Sequence, residues 1–149
     1  MRALGQNLRR GRVVSGASTL TQQLCKWLAP RERTLVAKLR EAGAAIGLEG
    51  ALTKPEILSL YLEFAPYGGL QRGAEQASWA WLGKPAAALT VAEAAWLAVL
   101  PRSPTRLDPG RDATAALPAQ RRLLHRMHAL GWIDGDELHT ALRQPIAIA

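Results

Sequence analysis

The chain has one cysteine, Cys25, in 149 residues. A lone thiol excludes an intrachain disulfide and any zinc site built from cysteines, and it gives no reading of the redox compartment. Its ordinary place is as a small core side chain. Long hydrophobic runs are missing too. The longest candidate, Ala92 to Leu100, is nine residues and is interrupted by Glu93, about half of the roughly 18 that suggest a membrane span. Met1 opens no signal peptide, because Arg2, Leu4, Asn7, Leu8, Arg9, Arg10 and Arg12 mix basic and apolar positions without an uninterrupted apolar core. No stretch shows the period-two alternation of a half-buried strand, and there is no internal repeat or low-complexity tract. What remains is the expectation of one compact all-α domain.

Acidic residues are also in short supply. Twelve Asp and Glu face 19 Lys and Arg, a formal charge of +7. Such a balance points to an anionic partner, and nucleic acid, anionic lipid and pyrophosphate all satisfy it.

Helix signals fill most of the sequence. Ser18 and Thr19 can cap a helix through Leu28, with Gln22 completing a capping box and Pro30 ending the element. A longer helix is expected from about Glu32 to Gly50. Thr53 and Glu56 form a second box, with Pro55 in the tolerated first turn and a stop before Pro66. A turn-rich loop over Tyr67 to Gly73 leads to a helix over Ala74 to Leu82, broken by Gly83, Lys84 and Pro85. Thr90 and Glu93 form a third box before Ala94 to Leu100. The segment Pro101 to Gly110 reads as a rigid connector, Ala115 to Leu130 as a basic helix closed by Gly131, and Asp134 with Glu137 as the start of a short last helix.

The most distinctive string is Gly16-Ala17-Ser18-Thr19-Leu20-Thr21-Gln22-Gln23. Small residues, hydroxyls and amides crowd a helix start, where unpaired N–H groups and the positive end of the dipole favour a phosphate. Lys26, a turn further on, adds a full charge. Plain capping of the helix is the alternative, and the two roles are compatible. Trp79, Trp81, Trp96 and Trp132 have the flat faces that suit sugar rings, although packing in the core or an interface is the ordinary use of such residues. His125 and His128 share a helical face without a third nearby ligand, which does not amount to a metal site.

The eight-residue string closely resembles the second signature motif of family 51 glycosyltransferases, the peptidoglycan polymerases. Lys38-Leu39-Arg40-Glu41 resembles the third motif and Glu56-Ile57-Leu58-Ser59-Leu60-Tyr61-Leu62-Glu63 the fourth, in matching order and spacing. Pro66-Tyr67-Gly68-Gly69, Ala77 to Lys84 and Leu97 to Pro104 follow the pattern of class A penicillin-binding proteins of the 1C type. The similarity runs from about Leu8 to Glu137. It implies a lysozyme-like helical domain over 1–149, with a residual N-terminal helix over 1–15 and a helical core over 16–143, in which the second-motif helix and the helix after it bound a cleft.

The same resemblance implies a chemistry. An acceptor sugar hydroxyl attacks the anomeric carbon of a lipid-linked donor, undecaprenyl pyrophosphate leaves with inversion, and lipid II is polymerised onto a nascent glycan strand. A carboxylate must take the hydroxyl proton, and donors or cations must hold the developing pyrophosphate charge. By motif position, Ser18, Thr19, Gln22, Gln23 and Lys26 would line the pyrophosphate and sugar subsites. Glu41 and Lys38 would be the catalytic pair that places the donor pyrophosphate, with Arg40 beside them. A divalent cation, Mg or Mn, would favour Glu41 and phosphate oxygens. The family's general base is a glutamate in a glutamate-aspartate-phenylalanine-histidine stretch upstream of the second motif, and nothing here matches it. The chain therefore reads as an N-terminally truncated domain, expected to be inactive alone.

Three departures accompany that gap. Ala37 stands where the third motif opens with arginine, Trp27 where asparagine follows the lysine, and Glu63 where asparagine closes the fourth motif. Arg121-Arg122-Leu123-Leu124 approximates the fifth motif, with a solvated basic face as the alternative. In the full-length form the setting would be the outer, periplasmic face of the bacterial inner membrane, with other cell-wall synthesis proteins as partners and no nucleic acid. Two rival readings stay open: a non-catalytic module that binds lipid pyrophosphate or a cell-wall partner, and a basic helical nucleic-acid binder, which accounts for the charge and none of the motifs.

Overall fold

A computed structural model describes residues 19–28 and 34–149. Among the described residues the architecture is all-α. Seven α-helices follow one another as α1 (Leu20–Leu28), α2 (Leu35–Ala51), α3 (Lys54–Phe64), α4 (Ala74–Leu82), α5 (Val91–Val99), α6 (Leu117–Ala129) and α7 (Gly135–Arg143). Single 3₁₀ turns occupy Ala86–Ala88 and Leu100–Arg102. The only β-type pairing among these residues is one antiparallel bridge, Pro66 to Arg72, and no described helix is long and apolar enough to cross a membrane. The expected residual helix over 1–15 lies outside the described residues.

The residues group into two compact units that divide at Tyr61 and Leu62, within α3. Charge divides with them: residues 1–61 carry ten Lys and Arg against four Asp and Glu, and 62–149 carry nine against eight. Nearly all of the excess positive charge therefore belongs to the first unit.

In the first unit α1 packs directly on α2. Thr21, Leu24 and Cys25 are the buried side of α1 and Ala45 that of α2. The Thr21 hydroxyl donates to Glu49 Oε1 at 2.6 Å, joining the start of α1 to the end of α2, so the two helices run antiparallel. Small side chains at the contact allow helices to approach closely. The facing sides of these two helices meet. The Trp27 ring on α1 lies 5.0 Å from the Tyr61 ring of α3, tilted by 49°, an aromatic pair within the favourable range.

The second unit is organised by α5, which is small and apolar on most sides. Ala92 and Ala95 join Leu124, Ile133 and Ala141 in a core completed by Val91, Leu123, Met127, Leu138, Leu142 and Ile146. Gln120, buried at the start of α6, donates its amide N–H to the Ala92 carbonyl at 2.8 Å. The Thr90 and Glu93 box forms as read, with Thr90 N–H donating to Glu93 Oε2 at 2.9 Å, although the helix begins at Val91 rather than Ala94. Glu93 is only 6% exposed and also accepts from Lys84 Nζ at 2.8 Å. That ion pair anchors the segment after α4, where Gly83 stops the helix at φ 66°.

Gly73 is the hinge into α4. Its φ of 85° and ψ of 141° suit glycine, and a Cβ there would come within 2.8 Å of the Glu63 carbonyl oxygen. The connector over 101–110 is less extended than its prolines suggest, because Pro101 enters the second 3₁₀ turn and Leu107 and Pro109 are buried.

Candidate functional site

Thr19 caps α1 in the reciprocal manner expected. Its N–H donates to Gln22 Oε1 at 3.1 Å, and its hydroxyl accepts from the Gln22 N–H at 3.2 Å. Gln22 is thus committed through its carbonyl oxygen to the cap, leaving its amide N–H₂ available. Gln23 N–H returns to the Thr19 carbonyl at 3.1 Å. The N–H groups of Leu20 and Thr21 have no acceptor among the described residues, as the first turn of a helix leaves them.

Helical spacing assembles the remaining residues. Thr19, Gln22, Gln23 and Lys26 stand at i, i+3, i+4 and i+7, one row along α1. The side of α1 buried against α2, through Thr21, Leu24 and Cys25, is the opposite one. The row is consequently presented away from α2, with Gln22, Gln23 and Lys26 half-buried and Thr19 exposed. Ser18 lies outside the described residues, as does the side chain of Lys38.

Glu41 belongs to the other helix and points toward α1. Glu41, Ala45 and Glu49 follow at i, i+4 and i+8 on α2, and Glu49 already touches Thr21. Burial pushes the Cys25 thiol above its ordinary value, a backbone hydrogen bond pulls it partly back, and the charges of Glu41 and then Glu49 raise it further. Glu41 therefore flanks the buried seam between the helices, half-buried, with no ion-pair partner among the described residues. Arg40 is exposed and turned about 100° away along the same helix, so it does not join Glu41. No group of three histidine, cysteine or acidic side chains converges among the described residues. A single carboxylate with phosphate oxygens is nonetheless a donor set that magnesium accepts.

The other residues singled out in the sequence sort by burial. Cys25 is a buried free thiol, and Trp96 is fully buried, its Nε1 without a partner among the described residues. Trp81 is half-buried and donates Nε1 to the Tyr67 carbonyl at 3.1 Å. Core packing does not extend to Trp79 and Trp132, which are 54% and 71% exposed. Arg121 and Arg122 are exposed on α6, the solvated alternative, while Leu124 beside them is buried. Thr53 and Glu56 meet differently from the expected box: both the N–H and the hydroxyl of Thr53 donate to Glu56 Oε2, which holds that carboxyl below its usual range.

The comparisons agree with the motif order. A family model described as Transglycosylase matches residues 1–128. Penicillin-binding protein 1C of Escherichia coli is 45% identical over 148 residues, covering 99% of this chain and 19% of that protein. Penicillin-binding protein 1A of Pseudomonas aeruginosa is 37% identical over 147 residues, covering 98% and 18%. The crystal structure of penicillin-binding protein 1A from Haemophilus influenzae superimposes with a TM-score of 0.61 at 22% identity, over 91% of this chain and 17% of that one, a likeness of fold. The chain spans about a fifth of the length of the curated relatives it matches. With three ordered signature motifs, an all-α fold of the same kind and a family model covering most of its length, the chain belongs to the transglycosylase family found in penicillin-binding proteins.

Proposed function

We propose that the chain is part of a peptidoglycan glycosyltransferase, and that the outward row of α1 holds the pyrophosphate of lipid II as it departs. The observation that carries this reading is the placement of Thr19, Gln22, Gln23 and Lys26 on the side of α1 turned away from α2. The N–H groups of Leu20 and Thr21, which have no acceptor among the described residues, and the helix dipole add to the attraction for an oxyanion. Ser18 and Lys38 join the same subsite by motif position. Glu41 places the donor pyrophosphate through Lys38 or through a magnesium or manganese ion, which would supply charge neutralisation. The full-length protein works at the outer face of the bacterial inner membrane, taking lipid II as substrate and extending a glycan strand, alongside other cell-wall synthesis proteins.

The general base is the part these residues do not supply. Phe64 is the only phenylalanine and is followed by alanine, so the first-motif glutamate has no counterpart within the 149 residues. A polypeptide of this sequence accordingly binds lipid pyrophosphate and does not polymerise lipid II. Ala37, Trp27 and Glu63, which depart from the family's motifs, favour the second reading of a binding module without catalysis.

Titrating the chain with undecaprenyl pyrophosphate in detergent micelles tests the assignment. Lys26→Ala combined with Lys38→Ala should weaken binding by about tenfold or more, equivalent to about 1.4 kcal/mol, and added salt should weaken the unmodified protein similarly. Affinity unchanged in the double variant would sink the pyrophosphate assignment. Steady polymerisation of lipid II by the 149 residues, abolished by Glu41→Gln, would overturn the inactivity while retaining the family.

A further inference from the structure

The second unit contains a groove of about 430 Å³ where the end of α3 meets the start of α4, lined by Leu62, Glu63, Arg72, Ala74, Glu75 and Gln76. Its volume falls within the roughly 300–1,000 Å³ of small-ligand sites. Trp79, more than half exposed, does not itself line the groove but stands one helical turn beyond Glu75, which does. That indole is not loose. Glu75, on the groove wall, accepts from Trp79 Nε1 at 3.0 Å through one oxygen and from the Ala86 N–H at 3.0 Å through the other. A single carboxylate thus fixes an exposed aromatic plate to the rim of the groove.

We infer that this groove is a carbohydrate-binding site, with Trp79 as its stacking platform. Three features narrow the ligand class. The side chains of Glu63, Arg72 and Gln76 carry no hydrogen bond or ion pair among the described residues, so acceptors, a planar fork of donors and an amide are free for hydroxyl groups. Their charges are of both signs, and the unit as a whole has nine basic against eight acidic residues, which gives no preference for an anion. A sugar ring is the amphipathic partner that suits this mixture: its C–H face packs on the indole and the mostly apolar lining, and its hydroxyls reach the polar ends of Glu63, Arg72 and Gln76. The indole is already held, so little side-chain freedom is lost on binding. Every residue of the site lies in the second unit, whereas the pyrophosphate-holding row belongs to α1 in the first, so the two assignments stand or fall separately.

The test is an NMR titration of ¹⁵N-labelled full chain with chitotetraose, an N-acetylglucosamine oligomer that carries neither lipid nor pyrophosphate. Trp79→Phe identifies the Trp79 indole signal among the five tryptophans. The expected result is a saturable shift of that signal and of the amides over 72–76, with binding about tenfold weaker in Trp79→Ala and also weaker in Gln76→Ala. Trp132→Ala, which changes an exposed tryptophan outside the groove, should leave sugar binding unchanged. Gln76 is exposed, so its variant keeps the test available should Trp79→Ala lose its fold. Absence of any shift at Trp79 or 72–76 at millimolar sugar, or equal binding by both groove variants, would overturn the site.

Discussion

Removing the charge of Glu93 offers the sharpest check on how the second unit is held together. Its carboxylate accepts from Lys84 Nζ at 2.8 Å and from the Thr90 N–H at 2.9 Å, while its own N–H donates to the Thr90 hydroxyl at 3.3 Å. Glu93→Gln preserves the volume and an acceptor for Thr90 but loses the charge-assisted bond to Lys84. Hydrogen bonds to charged groups contribute about 1.5–3 kcal/mol. The Lys84 side chain is 36% exposed against 8% for Glu93, so a stranded ammonium turns toward water and the cost should fall near the lower end, about 1–2 kcal/mol. Glu93→Ala also loses the cap, worth about another 1 kcal/mol.

Urea unfolding at constant slope measures these differences as shifts of midpoint, and pH separates charge from packing. Burial raises the Glu93 carboxyl, but the bonds from Lys84 and Thr90 outweigh it and leave the group below its ordinary value of 4.5. A carboxyl depressed by folding contributes stability above its unfolded value and loses it as pH falls through the folded one. The gap between the unmodified protein and Glu93→Gln should therefore be full near neutrality and should close below about pH 4. Equal midpoints at neutral pH, or a gap that widens in acid, would refute the reasoning.

Two further outcomes follow from backbone and burial. Gly73→Ala places a Cβ 2.8 Å from the Glu63 carbonyl at φ 85°, whereas at Gly83, φ 66°, the nearest atom is 3.6 Å away. Each should cost about 1–3 kcal/mol for the unfavourable backbone, with Gly73→Ala measurably worse by thermal unfolding; equal costs would remove the close contact as the cause. Cys25 is 8% exposed with its thiol raised by burial, so a thiol reagent at neutral pH should label it slowly in the native protein and rapidly in denaturant, and comparable rates would contradict the buried seam between α1 and α2.

Much of the fold was legible because its signals are local. The boxes at Thr19 and Gln22, Thr90 and Glu93, and Asp134 and Glu137 need residues only three apart, and all three form. The helix over Ala74–Leu82, stopped by Gly83, has the bounds read from its sequence. The Thr53 and Glu56 pair shows the limit: the spacing announced an interaction, but only the rotamers decided that the hydroxyl donates to the carboxylate. Likewise the row of Thr19, Gln22, Gln23 and Lys26 was implicit in helical spacing, while its freedom depended on which side α2 would cover.

By itself the sequence determined the helical class, the capping boxes at three helix starts, the family and the residue types offered to the proposed pyrophosphate site, since each depends on identity and spacing along the chain. Tertiary structure alone decided the rest. Four tryptophans of similar sequence appearance divide into Trp96 in the core, Trp81 on a backbone carbonyl, and Trp79 and Trp132 in solvent. Thr21 finds Glu49 across 28 residues, and Gln120 finds the Ala92 carbonyl across the same interval. The physical reason is that burial and long-range pairing are properties of surfaces brought together by packing, and no pattern within one helix specifies which surface it will meet.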